Sequence, residues 1–238
     1  MRLVIFHGSP RRGNTYRAAT LFLQGLRRQG EVQVQEFFLP EDLPVFCEGC
    51  QKCFGGSPEG CPHTRYVAPM VQAVLDAEAL FFTTPHYGAS DMSGAMKNLL
   101  DHLEMFSMQI APRREIFAKK AFVLTTGAGS GSALVPMRRG LKRWGINRVY
   151  CLALRMRTNQ WDSMPKSRQE QFCEKLRYAA KKFYQAKPRS PYLSTVWEYY
   201  LFRFVLQKFV GSEAYPYQHW QEMGFLEANP FLERRGKE

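Results

Sequence analysis

The first fifteen residues constrain the fold of this chain more than any other segment. The apolar run Leu3–Phe6 is followed closely by Gly8. The loop Ser9–Gly13 then leads into a helical stretch that begins at Asn14–Thr15. A strand, a small-residue loop and a helix in this order present unpaired backbone N–H groups and the positive end of a helix dipole to an anion. This joint predicts a phosphate site, although an ordinary turn capped by Asn14 or Thr15 uses the same residues.

The spacing of the loop indicates which phosphate it can hold. Gly8-x4-Gly13 is spaced as in a nucleoside-triphosphate loop, but Asn14 stands where that motif needs lysine. The segment also lacks the Gly-x-Gly-x-x-Gly pattern of dinucleotide-binding folds. A monophosphate held by backbone amides fits best, with side-chain donors from Ser9, Arg11, Arg12, Asn14 and Thr15.

The bulk properties of the chain exclude several classes of protein. Its 238 residues, 45% of them hydrophobic, suffice for one large domain or a domain with an appendage. The sequence contains neither a run of eighteen apolar residues nor an N-terminal segment typical of signal peptides. We therefore expect a cytoplasmic protein whose six cysteines are reduced or metal-bound rather than disulfide-paired.

The net charge of +12 is concentrated in one region of the sequence. Residues 138–189 contain 15 Lys and Arg against 3 Asp and Glu, so the rest of the chain sums to zero. Such a region forms a solvated face or attracts anions, which include phosphorylated cofactors and acidic proteins. Since no nucleic-acid-binding module accompanies it, we do not expect nucleic acid as a partner.

Apolar runs and helical patterns alternate along the chain. The predicted strands are 2–7, 32–38, 79–84, 121–126 and 148–154. Between and after them, apolar residues recur with helical spacing at Val67, Met70, Val71, Val74 and Leu75, at Met96, Leu99, Leu100 and Leu103, and at Phe172, Leu176, Ala179 and Phe183. Five strands alternating with five helices predict a parallel sheet covered on both faces.

Three loops follow predicted strands and should meet at one edge of the sheet. They are 8–15, 84–90 and 125–131, and all are rich in glycine and small hydroxyl residues. Ligands of parallel sheets bind beyond the carboxyl ends of the strands. The loops predict a flat ligand with its phosphate at one end and His86 or Tyr87 near a ring, unless these two side chains belong to an ordinary packed loop.

The pattern changes after residue 187, and we expect a domain over 1–187 followed by a helical extension over 188–238. Tyr192–Val210 is apolar over most of its helical circumference, so it should be buried. We expect it to make the contact of a homodimer. Binding to a membrane surface is the less favoured alternative.

Four segments together resemble one known family. They are Gly8–Thr15, Thr84–Tyr87, Met92–His102 and Thr126–Gly129, and they resemble the NADPH-dependent FMN reductase family, in particular its iron–sulfur flavoprotein branch. The match extends over residues 1–186, and Tyr217–Gly224 is more loosely similar to tails in the family. The resemblance implies an α/β, flavodoxin-like fold: a doubly wound five-stranded parallel sheet, here with a C-terminal helical extension.

The resemblance also implies a cofactor and a reaction. FMN would place its phosphate in the first loop, at Ser9, Arg11, Gly13, Asn14 and Thr15. Its ring would lie against Pro85, His86, Tyr87, Gly88 and Ala89, and be bordered by Thr126, Gly127, Ala128 and Gly129. Members pass electrons from NAD(P)H, or from a ferredoxin-like donor, to a small-molecule acceptor such as a quinone, azo or nitro compound. No side-chain acid, base or nucleophile is nominated, because hydride transfer belongs to the cofactor.

The segment 45–63 is rich in cysteine. The spacing Cys47-x2-Cys50-x2-Cys53-x7-Cys61 suits a [4Fe–4S] cluster, while zinc with His63 as an additional ligand, or free thiols, are alternatives. In the iron–sulfur flavoproteins a similarly compact run binds a cluster. Cys151 and Cys173, which lie outside this segment, are expected to be small core residues.

Two main functions follow from these features. The first is an FMN-dependent oxidoreductase that uses NAD(P)H. The alternative is an iron–sulfur flavoprotein that transfers single electrons between FMN, the cluster and an acidic ferredoxin-like partner steered by the basic face. A third, weaker hypothesis is a nucleic-acid- or membrane-associated protein that has kept the fold without the flavin.

Overall fold

The structure is a computed structural model that describes residues 1–55, 60–87, 91–129, 131–187 and 191–231. Its centre is a five-stranded parallel sheet in the order β2-β1-β3-β4-β5. The strands are β1 (Arg2–His7), β2 (Gln33–Phe38), β3 (Ala79–Pro85), β4 (Lys120–Gly127) and β5 (Arg148–Arg155). The predicted flavodoxin-like fold is confirmed, and the five predicted segments coincide with the strands to within one residue at each end.

Helices cover both faces of the sheet. They are α1 (Asn14–Arg27), α2 (Thr64–Asp76), α3 (Gly94–His102), α4 (Arg114–Phe117), α5 (Leu134–Arg143), α6 (Lys166–Tyr184), α7 (Leu193–Phe209) and α8 (Tyr215–Glu222). Successive residues of β1 alternate between the two faces, as the pleat requires. Leu3 and Ile5 join the core beneath α1 and α6, and Val4 and Phe6 join the core beneath α2, α3 and α5.

The C-terminal helices fold back onto the α/β region and share a third core with it. This core combines Met108 and Phe117 with Tyr199, Leu206, Trp220, Phe225, Leu226 and Phe231. The ring nitrogen Nε2 of His219 in α8 lies 2.9 Å from the carbonyl oxygen of Pro112. The extension is therefore held by apolar contacts and by a buried polar contact to the segment between α3 and α4.

Burial of α7 follows the prediction on one side only. Thr195, Tyr199 and Leu206 are buried against the third core. The opposite side exposes a row of large apolar side chains: Leu193, Trp197, Tyr200, Phe204 and Phe209. The homodimer contact stays a prediction, and the residues that the structure describes leave this face exposed.

The expectation that Cys151 is a core residue was wrong. β5 lies at the edge of the sheet, where most of its side chains are only partly covered, and Cys151 is exposed. Cys173 on α6 is half-buried and packs at the margin of the core beneath that helix.

Among the helices in the described residues, none is both long enough and apolar enough to cross a membrane.

Candidate functional site

The first predicted loop lies at the carboxyl edge of the sheet, between β1 and α1. The backbone of Gly8 approaches β3 closely, and its N–H donates to the carbonyl of Thr83 at 2.7 Å. A Cβ at Gly8 would lie 2.9 Å from that carbonyl oxygen, so a larger residue does not fit there. The side chain of Ser93, at the start of α3, donates to the carbonyl of Gly8 at 2.5 Å. These hydrogen bonds fix the loop to β3 and to the start of α3.

The start of α1 is free of side-chain caps. Gly13 is its N-cap residue, no side chain in the described part of the chain caps the first N–H groups, and the first turn contains no acidic residue. The alternative of an ordinary turn capped by Asn14 or Thr15 is therefore wrong. Unpaired N–H groups at the positive end of a helix dipole favour an anion at this position.

Asn14 and Thr15 instead connect this corner to other loops. Asn14 Nδ2 donates to the carbonyl of Thr158 at 2.8 Å, and its Oδ1 is buried without a hydrogen-bond partner. Thr15 Oγ1 lies 2.6 Å from Thr126 Oγ1 at the end of β4. The predicted phosphate residues therefore lie beside the predicted ring loops.

The loops after β3 and β4 run side by side. Pro85 pairs with Thr126 in the sheet, and His86 donates its backbone N–H to the carbonyl of Thr126 at 2.8 Å. Gly127 has a φ of +142°, a conformation that favours glycine. A Cβ at Gly129 would lie 2.8 Å from the His86 ring, so that imidazole rests on the Gly129 backbone.

Two aromatic side chains border these loops. The Nε2 of His86 is buried and has no hydrogen-bond partner. Tyr87 is half-exposed, and its hydroxyl lies 3.4 Å from an Arg11 guanidinium nitrogen. Ser9 forms a local turn with Arg11, in which its hydroxyl donates to the Arg11 carbonyl at 3.1 Å. Ala128 is exposed, and Gly88 and Ala89 lie outside the described residues.

A basic cavity of about 600 Å³ adjoins the Asn14 corner. It is lined by Arg155, Arg157, Thr158, Met164, Pro165, Ser167, Arg168 and Gln171. Thr158 both lines this cavity and accepts the hydrogen bond from Asn14. The cavity therefore connects the predicted phosphate corner to the basic region 138–189.

The four cysteines of segment 45–63 line one small cavity of about 20 Å³, together with His63, His102 and others. Burial, reinforced by the neighbouring thiols, raises the pKa of Cys53, and burial also raises the pKa of Cys61. Among the described residues, the set whose ligand atoms all lie within 4.8 Å of one another is Cys61, His63 and His102. This closest set, one thiol and two imidazoles, does not match the four thiolates that hold a [4Fe–4S] cluster.

Sequence reasoning missed three residues of these sites. Ser93 had a detectable signal, because a serine that caps a helix is recognisable from its position before an apolar pattern. Thr158 contributes a backbone carbonyl, so its residue type carries no signal. His102 stood within the family resemblance, but its approach to the cysteines depends on how α3 packs against the segment.

Comparisons with known proteins agree with this geometry. The NADPH-dependent FMN reductase family matches residues 1–142, which is more than half of the chain. The chain belongs to this family of FMN-dependent oxidoreductases, as the resemblance of its loops indicated. An iron–sulfur flavoprotein of Clostridioides difficile (strain 630) is 23% identical over 237 residues, covering 95% of this chain and 100% of that protein.

Solved structures share the fold. An azoreductase from Bacillus anthracis str. Sterne has a TM-score of 0.61 and 14% identity, covering 77% of this chain and 100% of its own. An NAD(P)H:quinone oxidoreductase from Methanothermobacter marburgensis has a TM-score of 0.59 and 18% identity, covering 78% of this chain and 98% of its own. At these identities the likeness establishes the flavodoxin-like fold.

Proposed function

We propose that this chain is an FMN-dependent oxidoreductase that takes electrons from NADPH and delivers them to a small-molecule acceptor of the quinone, azo or nitro class. The observation that carries the proposal is the uncapped start of α1, which lies at the edge where the loops after β3 and β4 converge. The family match and the azo- and quinone-reducing structural relatives support the same class.

The residues of the edge fit a mononucleotide. The free N–H groups of α1 and the Arg11 guanidinium would hold a phosphate of charge about −2. The missing Cβ atoms of Gly127 and Gly129 make room for His86, whose buried Nε2 is available as a hydrogen-bonding group beside these loops. When bound, FMN supplies the hydride and electron chemistry.

The basic cavity beside Thr158 supports NADPH rather than NADH as the donor. Three of its lining residues, Arg155, Arg157 and Arg168, carry guanidinium groups, which bind phosphate in a bidentate manner. A 2′-phosphate placed in this cavity would lie next to the Asn14 corner. The chain's role would be to bind and orient the donor while its residues take no part in bond breaking.

The exposed row on α7 supports a homodimer. Five large apolar side chains, Leu193, Trp197, Tyr200, Phe204 and Phe209, face outwards from one helix, and contiguous exposed apolar surface of this kind marks an interaction site. In a homodimer, the apolar rows of the two copies would pack against each other around a two-fold axis.

Two measurements test the reductase proposal. Protein purified under anaerobic conditions should show the visible absorption bands of bound flavin, and rapid mixing with NADPH should bleach them within seconds. A colourless protein that does not take up added FMN would overturn the proposal. If the protein binds flavin but neither NADPH nor NADH reduces it, FMN binding is supported and the reductase activity is excluded.

One-electron transfer with a ferredoxin-like partner is the alternative function. It requires an iron–sulfur cluster in segment 45–63, where the four cysteines line a common cavity. The metal content of that cavity distinguishes the two functions.

A further inference from the structure

The cavity in segment 45–63 combines groups from three places in the chain. Cys61 and His63 lie directly before α2, and His102 is the last residue of α3. His102 is 2% exposed, and Cys61 is also buried. His63 Nδ1 lies 3.1 Å from His102 Nε2. With metal–ligand bonds of 2.0–2.3 Å, the ligand atoms of a tetrahedral zinc site lie about 3.3–3.8 Å apart. The distance between the two ring nitrogens is close to this range, and the Cys61 sulfur lies within 4.8 Å of both ligand atoms.

Close contacts orient the imidazole rings of His63 and His102 towards each other. His102 Nδ1 is 2.9 Å from the carbonyl oxygen of Asn98, which can only accept, so Nδ1 carries the proton. In the neutral ring, Nε2 then presents a lone pair towards His63. His63 Nε2 lies 3.6 Å from the Glu48 carboxylate, which is too long for a hydrogen bond, so this contact does not fix the tautomer of His63. His63 Nδ1 and His102 Nε2 lie within hydrogen-bonding distance of each other, and a cation between the rings would take the place of the shared proton.

One of the two rings also has the outer hydrogen bond that metal-binding histidines make. Such a histidine donates its second N–H to a backbone carbonyl or a carboxylate, which fixes its tautomer and orientation. His102 meets the first condition through Asn98, whereas the Glu48 carboxylate lies 3.6 Å from His63 Nε2, beyond hydrogen-bonding distance.

Asn98 also holds the segment in place. Its Oδ1 accepts from the backbone N–H of Cys47 at 2.9 Å, and its Nδ2 donates to the carbonyl of Val45 at 2.8 Å. The same residue of α3 therefore supports His102 and the first cysteine.

We propose that Cys61, His63 and His102 bind a single divalent transition-metal ion of the zinc class. One thiolate and two imidazoles form a ligand set that suits zinc, and one of the three other cysteines completes the tetrahedron. The ion would fasten segment 45–63 to the end of α3. This proposal does not depend on the flavin, because the site shares none of the residues assigned to FMN.

Metal analysis of the purified holoprotein tests the proposal first. Protein produced with both iron and zinc in the medium, and purified anaerobically, should contain about one zinc per chain. Replacement of zinc by cobalt should give the absorption bands of a tetrahedral cobalt site with thiolate ligation. About four iron atoms with acid-labile sulfide per chain, or no bound metal, would overturn it.

Single substitutions distinguish the two ligand sets. His102→Asn and His63→Gln should each lower zinc content at least tenfold, whereas at most one of Cys47→Ser, Cys50→Ser and Cys53→Ser should do so. A four-thiolate cluster requires the opposite: all three serine variants lose metal and both histidine variants keep it. His219→Asn, which replaces another buried histidine bonded to a carbonyl, is the matched control and should keep its zinc. FMN content and circular dichroism show whether each variant is folded.

Discussion

Thr15 and Thr126 lie 111 residues apart in the chain, and their hydroxyl oxygens are 2.6 Å apart in a buried hydrogen bond. One belongs to the first turn of α1 and the other to the end of β4. The contact joins the predicted phosphate corner to the loop that would border the flavin ring. The relative position of the two halves of the proposed FMN site therefore depends on it.

Replacing Thr15 by valine, which keeps the shape and removes the hydroxyl, should weaken FMN binding by about 0.5–1.5 kcal/mol, the net value of a neutral hydrogen bond, because the two halves of the site lose the bond that joins them. Fluorescence titration of the apoprotein with FMN measures the dissociation constant. Thr15→Ser retains the hydroxyl and should bind FMN nearly as well as the wild type. Equal affinity of the valine and serine variants would move the phosphate away from this corner.

Gly129→Ala tests the contact between the β4 loop and His86. The new Cβ would lie 2.8 Å from the imidazole, which has to rotate away at a cost of about 0.5–1.5 kcal/mol. We expect weaker FMN binding and a changed flavin spectrum. At Gly131 a Cβ has no neighbour within 4 Å, so Gly131→Ala serves as the control. It should leave FMN affinity and the flavin spectrum unchanged. Identical behaviour of the two variants would contradict a role for the His86 ring.

Arg157→Ala tests the choice of donor. Loss of a guanidinium from the basic cavity should raise the KM for NADPH about tenfold or more, in keeping with about 1.5–3 kcal/mol for a charged hydrogen bond. The KM for NADH, which lacks the 2′-phosphate, should change little. Steady-state kinetics with NADPH and with NADH measures the two KM values. A parallel rise in both KM values would place the 2′-phosphate elsewhere.

The docking of the C-terminal helices should weaken in acid. Burial lowers the pKa of His219, an effect that its bond to Pro112 only partly offsets, while Arg113 lowers it and Glu222 and Glu115 raise it. Below pH 6.5 the unfolded chain takes up a proton that the folded chain does not, so the free energy of unfolding falls as pH drops.

Thermal unfolding measured between about pH 7 and pH 5 checks this expectation. His219→Gln removes the titrating group and should show a smaller fall in Tm than the wild type. Burial also lowers the pKa of His7, so part of the fall should persist in the variant. A variant with the same pH profile as the wild type would contradict the assignment to His219.

Trp197→Glu tests the homodimer. Trp197 is 65% exposed in the middle of the apolar row on α7, and a carboxylate there would oppose burial of the row. Sedimentation velocity should show a dimer for the wild type and a monomer for the variant. Tyr178→Glu on α6 replaces an aromatic residue that is equally exposed, at 65%, and should stay dimeric. A monomeric wild type would refute the dimer.

The sequence by itself determined the positions of the five strands and of the loops that follow them. The strands of a buried parallel sheet are continuous apolar runs, and glycine and hydroxyl residues mark the turns that follow them. These are local signals, so the five strands and the joint at Gly8–Thr15 could be read without the tertiary structure. The family resemblance came from the same loops.

Only the tertiary structure decided which distant groups meet. The bonds of Asn14 to Thr158 and of Thr15 to Thr126, and the approach of His102 to Cys61 and His63, join residues from different elements. Such contacts depend on how helices pack across the sheet, and no local pattern encodes them. For the same reason Cys151, apolar in its sequence context, is exposed, because the position of β5 at the sheet edge is a property of the whole topology.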